Sequence, residues 1–345
     1  MAVPSTIECP EMRLFGRHDQ EGPLFVGPGH INIRSTTSID FTMFATPTGE
    51  RTQSSRLPDP PEPEFRLFAT DYDGTEWACG WTSPRVKGMP KVGNPLAGEL
   101  RSLTTNVSGP WVAAESSVEL ILPKLRLPMD KQLVAVYSIS DEEFQRNVSP
   151  RRQTVQALGS EITFFYTPSN DALWVTARTS EKLPHPFAEN WLSEPLRVLL
   201  GQLVFPRLVA RNFGKGSAFV SLRASPPPLR HTGIASLLNE DPLSAGAEFW
   251  ALYADLLTMV AEAKDLTGRP SFEAHRVTRF YEEVIQATQG SRWVLSMTLA
   301  STAEGLAKMV MSPEEKRSDF AKEGSRASRP TFGAGRATGR FAPRC

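Results

Sequence analysis

An arginine and a histidine lie close together in the segment Arg269-Pro-Ser-Phe-Glu-Ala-His275, where five residues separate them. An arginine can bind a phosphate and a histidine can transfer a proton, and RNA cleavage needs both. The alternative is that Arg269 is a loop cation and His275 is a helix residue near the core. Such pairs also arise by chance in a chain with 38 lysines and arginines. Arg269 and His275 are therefore the candidate catalytic residues, and the structural alternative stays open.

Two glycine-containing segments have the composition of ligand-binding loops. Asp71-Tyr-Asp-Gly74 suggests a calcium loop, but it lacks the further oxygen ligands and the distal glutamate of an EF-hand. Gly214-Lys-Gly-Ser217 lacks the first glycine of a phosphate-binding loop. Both compositions are also typical of tight turns between strands. We predict that both segments are hairpin turns and that the chain has no metal site.

Three tryptophans, Trp77, Trp81 and Trp174, lie in segments that are expected to form strands. On an exposed sheet face their rings could stack on bases or sugars. In a buried position they would fill the core of a sandwich, which is the commoner role of such residues. The sequence favours the core role.

The C-terminal segment 324–345 contains five arginines and no acidic residue. Without it the chain has 33 basic and 38 acidic residues, so a body of formal charge −5 precedes a tail of +5. Its glycine, alanine, serine and threonine offer little apolar surface, and we therefore expect residues 312–345 to be disordered. The tail is either an RNA-binding segment, a solvated terminus or the remainder of a truncated reading frame. The candidate RNA-binding residues are Arg326, Arg329, Arg336 and Arg340.

Three widely spaced cysteines, Cys9, Cys79 and Cys345, exclude a disulfide framework and a paired-cysteine zinc site. The chain also lacks the pattern of a signal peptide and any apolar run of about 18 residues. No dinucleotide fingerprint is present. We therefore expect a cytoplasmic protein with no membrane span and no cofactor.

The first half of the chain has the pattern of short strands that are separated by turns. Ile39, Phe41, Met43 and Ala45 alternate with polar neighbours, as in a strand with one buried face. The segment 65–81 predicts a hairpin around Asp73-Gly74, in which Phe65, Leu67 and Ala69 face Trp77, Cys79 and Trp81. Residues 138–153 are predicted to be an exposed connection. Further strands are expected at 99–104, 117–122, 132–137, 154–167 and 172–179.

The pattern changes in the segment 190–213, which joins the two halves. Ser193 is expected to cap a helix over about 193–204 that Pro206 ends, and a hairpin over 208–223 follows. Three helices are then predicted, from about Phe249 to Gly268, from Pro270 to Gly290, and from a cap at Ser291 to about 311. The fold class is α+β: an N-terminal antiparallel β-sandwich or open barrel (1–230), followed by a C-terminal helical bundle (231–311).

The order of features resembles bacterial ApeA-like defence proteins, in which a β-rich domain precedes a helical HEPN domain. The likeness rests on the Asp73-Gly74-Thr-Glu-Trp77 hairpin, the joint 196–207, and Ala303-Glu-Gly-Leu-Ala307 late in the helices. The resemblance implies RNA cleavage in antiphage responses through an arginine and a histidine of a late helix. In this chain the matching pair, Arg269 and His275, precedes the Ala303 segment, and a proline follows the arginine.

The sequence patterns and the resemblance together imply three alternative functions. The first is a recognition protein of antiphage-defence type, in which residues 1–230 sense a ligand and are coupled to a HEPN-like helical module. The second is a metal-independent HEPN endoribonuclease, and the third is a non-catalytic scaffold or dimerisation protein. The expected partner is a protein or a phage-derived ligand. RNA and a second copy, held through the helices, are open alternatives.

Overall fold

The structure is a computed structural model. It describes residues 4–16, 22–48, 65–86, 95–109, 115–123, 125, 127–129, 133–139, 142–148, 152–166, 172–225, 246–264 and 268–310. The predicted tail 312–345, with Arg326, Arg329, Arg336 and Arg340, lies outside the described residues.

Fifteen strands form one antiparallel sheet, which is open rather than closed into a barrel. The path from one edge to the other is β13-β14-β15-β10-β16-β17-β9-β6-β5-β1-β2-β3-β8-β7, with β4 paired to β2, and β11 and β12 form a separate hairpin. The strands are β1 (Ser5–Phe15), β2 (Phe25–Ile33), β3 (Ile39–Phe44), β4 (Thr46–Pro47), β5 (Phe65–Thr70), β6 (Glu76–Thr82), β7 (Arg85–Val86), β8 (Pro95–Leu100), β9 (Ser102–Ser108), β10 (Ser116–Pro123), β11 (Leu133–Ile139), β12 (Glu142–Val148), β13 (Arg152–Ala157), β14 (Ser160–Tyr166), β15 (Ala172–Arg178), β16 (Leu208–Phe213) and β17 (Ser217–Arg223).

The sheet packs around two apolar cores. The first lies among β1, β2, β3, β5, β6, β8 and β9, where Ile39, Phe41 and Met43 are buried as their alternation predicts. The second lies among β10, β13, β14, β15 and β16, where Phe164 and Val175 meet apolar side chains of the helices. The two cores share one continuous sheet, so strand pairing links the two ends of the molecule.

The hairpin predicted over residues 65–81 is confirmed, but one of its tryptophans lies on the other face. A β-bulge shifts the register of β6 at Gly80, which has a φ of +71°. Trp81 therefore lies opposite Arg66 instead of facing the core, and it is 42% exposed. The prediction that Trp81 faces Phe65 and Leu67 is wrong because the bulge reverses the side-chain alternation.

Two strand predictions and one predicted connection are also wrong. The segment 154–167 is a hairpin, β13 and β14, because Leu158 and Gly159 take positive φ values of 52° and 72° in the turn between them. The predicted strand 99–104 is divided at Arg101 between β8 and β9. The supposed connection 138–153 contains β12, which pairs with β11. The hairpin over 208–223 is confirmed.

The helices are α1 (Ala188–Trp191), α2 (Glu194–Leu200), α3 (Gly246–Glu262), α4 (Arg276–Ala287) and α5 (Arg292–Val310). The predicted joint helix ends early, because Gly201 takes the left-handed conformation (φ 59°) and not because of Pro206. Ser193 precedes α2 but its hydroxyl donates to the Asn190 carbonyl at 2.9 Å, so the predicted side-chain cap is absent. Ser291 does cap α5, since its hydroxyl accepts from the Val294 amide at 3.3 Å.

Helix α3 packs on the sheet rather than only on other helices. Its Phe249, Trp250, Tyr253 and Leu257 belong to the second core, with Phe164 of β14. The Tyr253 hydroxyl donates to the Leu192 carbonyl at 2.9 Å, which fixes α3 against the end of α1. Helices α4 and α5 pack on each other, and α4 also packs on α2. Among the described residues no helix combines the length and the apolar character needed to cross a membrane.

Candidate functional site

A polar groove of about 860 Å³ opens where β3, β7 and β8 approach the end of β6. A hydrogen bond of 2.9 Å from the Thr82 hydroxyl to the Glu99 carbonyl joins β6 to β8. Gly98 allows this approach, because a side chain there would lie 2.8 Å from both the Phe41 ring and the Thr82 hydroxyl. The volume lies in the range of small-molecule sites, which is roughly 300–1,000 Å³.

Five charged residues line the groove together with polar and apolar ones. They are Arg34, Asp40, Arg85, Glu99 and Arg101, and Asp40 lies opposite Glu99 in the β3–β8 pairing. Arg34 donates two hydrogen bonds to Asp40, and this pairing raises the pKa of Arg34 above its ordinary value. Within the described part of the chain, exposed Arg85 and Arg101 form no ion pair. The groove therefore presents an excess of positive charge beside Glu99.

Trp81 supplies the aromatic surface of the groove. Its ring is partly exposed, and the guanidinium carbon of Arg66 lies 5.1 Å from the ring centroid. A cation over the face of an indole is attracted by the ring quadrupole, so Arg66 restrains the orientation of Trp81. The groove thus combines a restrained aromatic ring with guanidinium groups.

The rim of the groove is tied to the end of β17. The Arg101 carbonyl accepts from the Ala224 amide, and the Thr36 carbonyl accepts from the Ser225 amide, both at 2.8 Å. Next to them, the Ser35 carbonyl accepts from Nη2 of Arg207 at 3.0 Å. We call residues 34–38, which include lining residues of the groove, the rim loop. A displacement of this loop would therefore disturb its hydrogen bonds to Arg207 and to the residues that follow β17.

Glu189 of α1 is a buried carboxylate between two arginines. Its side chain is 2% exposed, and Arg211 of β16 and Arg223 of β17 both donate to it, with Nη2 of Arg211 at 2.6 Å. The backbone carbonyl of Arg223 in turn accepts from Arg207. These contacts connect the rim of the groove, through Arg207 and Arg223, to helix α1.

Arg197 of α2 is a buried cation that joins α2 to α4. Its Nε donates to the Val204 carbonyl at 2.8 Å, and its Nη2 donates to the Ser193 hydroxyl at 3.0 Å. Its Nη1 donates to the Glu282 carboxylate at 2.8 Å, and the guanidinium lies 4.2 Å from the centroid of the Phe205 ring. We name the set Ser35, Arg207, Arg223, Glu189, Arg197 and Glu282 the coupling path. Its step from Glu189 on α1 to Arg197 on α2 goes through Ser193, which donates to the Asn190 carbonyl and accepts from Arg197.

Glu194 lies beside this path at the head of α4. Its carboxylate accepts from the His275 amide and from the Thr278 hydroxyl, each at 3.0 Å. Burial raises the pKa of Glu194 above its ordinary value, while the His275 amide and the charge of Arg197 oppose the shift in part. The charged form of Glu194 is thus disfavoured in the folded protein.

A raised pKa at Glu194 predicts how stability changes with pH. The folded state holds the Glu194 proton more tightly than the unfolded state does. The stabilisation that results is fully present below the ordinary pKa of 4.5, and it is lost as pH rises through the pKa of Glu194 in the folded protein. We expect the free energy of unfolding of the wild type, relative to Glu194→Gln, to fall across that window. Urea unfolding of both proteins from about pH 4 to about pH 8 measures the difference.

The matched control is Glu304→Gln on exposed α5. Hydrogen bonding to Lys308 lowers the pKa of Glu304. Any pH dependence of the stability difference between the wild type and Glu304→Gln therefore has the opposite sign. A difference between the wild type and Glu194→Gln that is constant or rises with pH would contradict the assignment at Glu194.

The candidate catalytic pair lies at the start of α4. Arg269 is exposed in the bend that precedes the helix, and His275 is the N-cap, whose Nδ1 accepts from the Val277 amide at 3.2 Å. Burial lowers the pKa of His275, and the charges of Arg279 and Arg276 lower it further. The neutral imidazole therefore uses its Nδ1 lone pair in the cap, and that lone pair is the one a general base would need.

Both predicted turns are hairpin turns in the structure. Asp71 accepts from the Asp73 and Thr75 amides and from the Trp77 indole, at 3.0, 2.8 and 3.0 Å. Burial would raise the pKa of Asp71, but these hydrogen bonds outweigh it and lower the pKa. Gly214, Lys215 and Gly216 all take positive φ values in the turn before β17. Among the described residues no group of histidine, cysteine and acidic side chains could hold a metal.

The two other candidate tryptophans are half-buried. Trp77 packs against the first core. Trp174 stacks on Phe165, with ring centroids 5.4 Å apart, while its neighbours Leu173 and Val175 face the second core. Cys9 and Cys79 are buried free thiols, and burial raises the pKa of Cys9 to about 11. Neither thiol is therefore a nucleophile at neutral pH.

The groove and the coupling path were not predicted from the sequence. Arg34, Arg85 and Arg101 are ordinary surface arginines in the sequence, and only strand pairing brings them together. Arg197 did carry a signal, because it interrupts the leucine-rich sequence of the helix predicted over about 193–204. Glu189 lies before that segment and carried no comparable signal. Charged residues are almost never fully buried unless they are paired, so a partner could have been sought for Arg197.

No protein-family model, no curated protein and no solved structure matches this chain.

Proposed function

We propose that this chain is a ligand-recognition protein, in which the β-rich part binds its ligand in the groove and the helices respond to the bound state. In this proposal residues 231–311 act as a HEPN-like helical bundle. Recognition is preferred to RNA cleavage because the lone pair of His275 is used in the helix cap.

The observation that carries the proposal is the coupling path. The Ser35 carbonyl at the rim accepts from Arg207, and Arg207 in turn donates to the Arg223 carbonyl. Arg223 donates to Glu189 on α1, and Ser193, between α1 and α2, donates to the Asn190 carbonyl and accepts from Arg197 of α2. Arg197 in turn donates to Glu282 of α4. Packed interfaces tend to have discrete alternative arrangements, so we expect a ligand that moves the rim to bias the position of α4.

The resemblance to ApeA-like proteins suggests the setting in which such a protein acts. A recognition protein of antiphage-defence type would bind a protein or another ligand that an infecting phage supplies. The helical module would then carry the response. This setting predicts that the groove is needed for protection against phage.

Phage plating on a bacterial host that expresses the chain tests the proposal. We expect the wild type to reduce the number of plaques for at least one phage of a panel. The groove double variant Arg85→Gln/Arg101→Gln should return plating to the level of the empty vector. Both arginines are exposed, so neither replacement should unfold the protein.

The control is the double variant Lys182→Gln/Arg292→Gln, which removes the same charge from exposed positions outside the groove. It should protect as well as the wild type. Protection by the groove variant that equals the wild type, or loss of protection in the control alone, would exclude the groove as the recognition site.

A further inference from the structure

We propose that the groove binds a nucleoside phosphate, a ligand that joins an aromatic ring to a chain of negative charge. This assignment rests on the recognition function proposed above and names the chemistry of the ligand. It follows from the chemical groups that line the groove.

The guanidinium groups of the groove indicate that one part of the ligand is an anion. Arg85 lies opposite Ala97 in the β7–β8 pairing, and Arg101 follows the end of β8, four residues beyond Ala97, so both enter the lining from the β7–β8 pair. In the described residues neither is paired with a carboxylate, whereas Arg34 is held by Asp40. Guanidinium groups bind phosphate oxygens through two parallel hydrogen bonds, so an anion with several oxygens fits this side.

The exposed ring of Trp81 indicates that another part of the ligand is a planar aromatic group. The bulge at Gly80 turns its ring out of the core, and Arg66 restrains the ring from outside the groove lining. An exposed and restrained indole is a stacking surface for a planar base, and stacking is tolerant of base identity. A ring with no charge would leave Arg85 and Arg101 unused, and a simple anion would leave Trp81 unused.

Hydroxyl-bearing residues also line the groove. Among them are Thr37, Ser38, Thr42 and Ser83. Hydroxyl groups can donate to and accept from a sugar, which is the part of a nucleoside phosphate that lies between base and phosphate. The groove therefore offers suitable chemistry for all three parts of the ligand.

Isothermal titration calorimetry of the full chain tests the assignment. The probes are ATP, AMP, adenosine, inorganic pyrophosphate and a short single-stranded oligonucleotide. We expect a nucleotide to bind more tightly than adenosine or pyrophosphate, with an affinity that falls as salt rises. Tightest binding of the oligonucleotide would assign the site to the end of a single strand, and tightest binding of ATP or AMP would assign it to a free nucleotide.

Substitutions of groove residues test whether the nucleotide binds in the groove. Trp81→Leu should weaken nucleotide binding roughly 5- to 150-fold, the usual effect of removing one stacking contact. Arg85→Gln/Arg101→Gln should weaken it and reduce its salt dependence. Trp293→Leu, at a tryptophan of α5 that is 73% exposed, and Arg292→Gln, at an exposed arginine beside it, are the matched controls and should bind as the wild type does.

Three results would overturn the assignment: no binding of any nucleotide or oligonucleotide, equal binding by wild type and groove variants, or pyrophosphate binding as tightly as ATP with no effect of Trp81→Leu. The plating experiment separates this failure from failure of the proposed function. If the groove variant loses protection while no nucleotide binds, the groove recognises a ligand of another class. If a nucleotide binds at the groove while the groove variant still protects, the ligand assignment holds and the recognition function fails.

Discussion

Replacement of Arg197 by methionine should lower the free energy of unfolding by about 3 to 5 kcal/mol, the usual cost of removing one partner of a buried ion pair. The Arg197 side chain is 6% exposed, and it satisfies the Glu282 carboxylate and the Val204 carbonyl together. Methionine restores much of the volume but none of the donors, so both acceptors are left without this partner. Equilibrium unfolding in urea measures the loss.

A double variant separates the ion pair from simple packing. Arg197→Met/Glu282→Leu removes both charges, and we expect it to be more stable than Arg197→Met alone. The exposed pair Arg279 and Glu273, at 3.1 Å, provides the control. Arg279→Met should change stability by less than about 1 kcal/mol. Equal losses from Arg197→Met and Arg279→Met would show that Arg197 does not hold α2 and α4 together.

The destabilisation caused by Arg197→Met should begin at α4 rather than throughout the protein. Hydrogen exchange of the α4 amides should become faster in Arg197→Met than exchange in β10 or β15, because Glu282 is the contact of Arg197 on α4. Uniform acceleration across the sheet and the helices would show that α4 opens only when the whole protein unfolds.

Replacement of Glu189 by alanine should lower the free energy of unfolding by about 3 kcal/mol. This variant leaves the guanidinium groups of Arg211 and Arg223 next to each other without the carboxylate that separates them. The expected cost is at the lower end of the range because both arginines are about a third exposed, at 32% and 27%, and water can solvate them.

Glu115→Ala is the matched control for Glu189→Ala. Glu115 pairs with Arg178 at 2.8 Å, but both side chains are exposed, and the expected change is below about 1 kcal/mol. If Glu189→Ala and Glu115→Ala have the same effect in urea unfolding, the buried carboxylate does not stabilise the contact between α1 and the sheet. A loss at Glu189 alone would support that contact.

The elements that the sequence predicted well depend on contacts between near neighbours. Asp71 and Gly74 form the first hairpin through hydrogen bonds inside the turn, and Ser291 caps α5 through an amide three residues later. The alternation of Ile39, Phe41 and Met43 identified the buried face of β3. Each of these features depends on residues that lie close together in the sequence. A short segment of the sequence is therefore enough to predict it.

The errors arise where one residue could take two conformations. Gly201 ends α2 in the left-handed conformation, although the apolar spacing up to Leu203 favoured a longer helix. Gly80 allows the bulge that turns Trp81 outward, although strict alternation placed Trp81 inside. A glycine tolerates both outcomes at little steric cost, so the surrounding packing selects between them.

By itself the sequence determined that antiparallel strands precede the three C-terminal helices, because hydrophobic periodicity and turn residues act locally. Only the tertiary structure decided which charged residues meet. Arg34, Trp81 and Arg101 come from separate strands and loops, and Glu189 meets Arg223 from 34 residues away. A buried charge requires a partner, but its sequence neighbours do not specify that partner, since long-range strand pairing sets the distance between them.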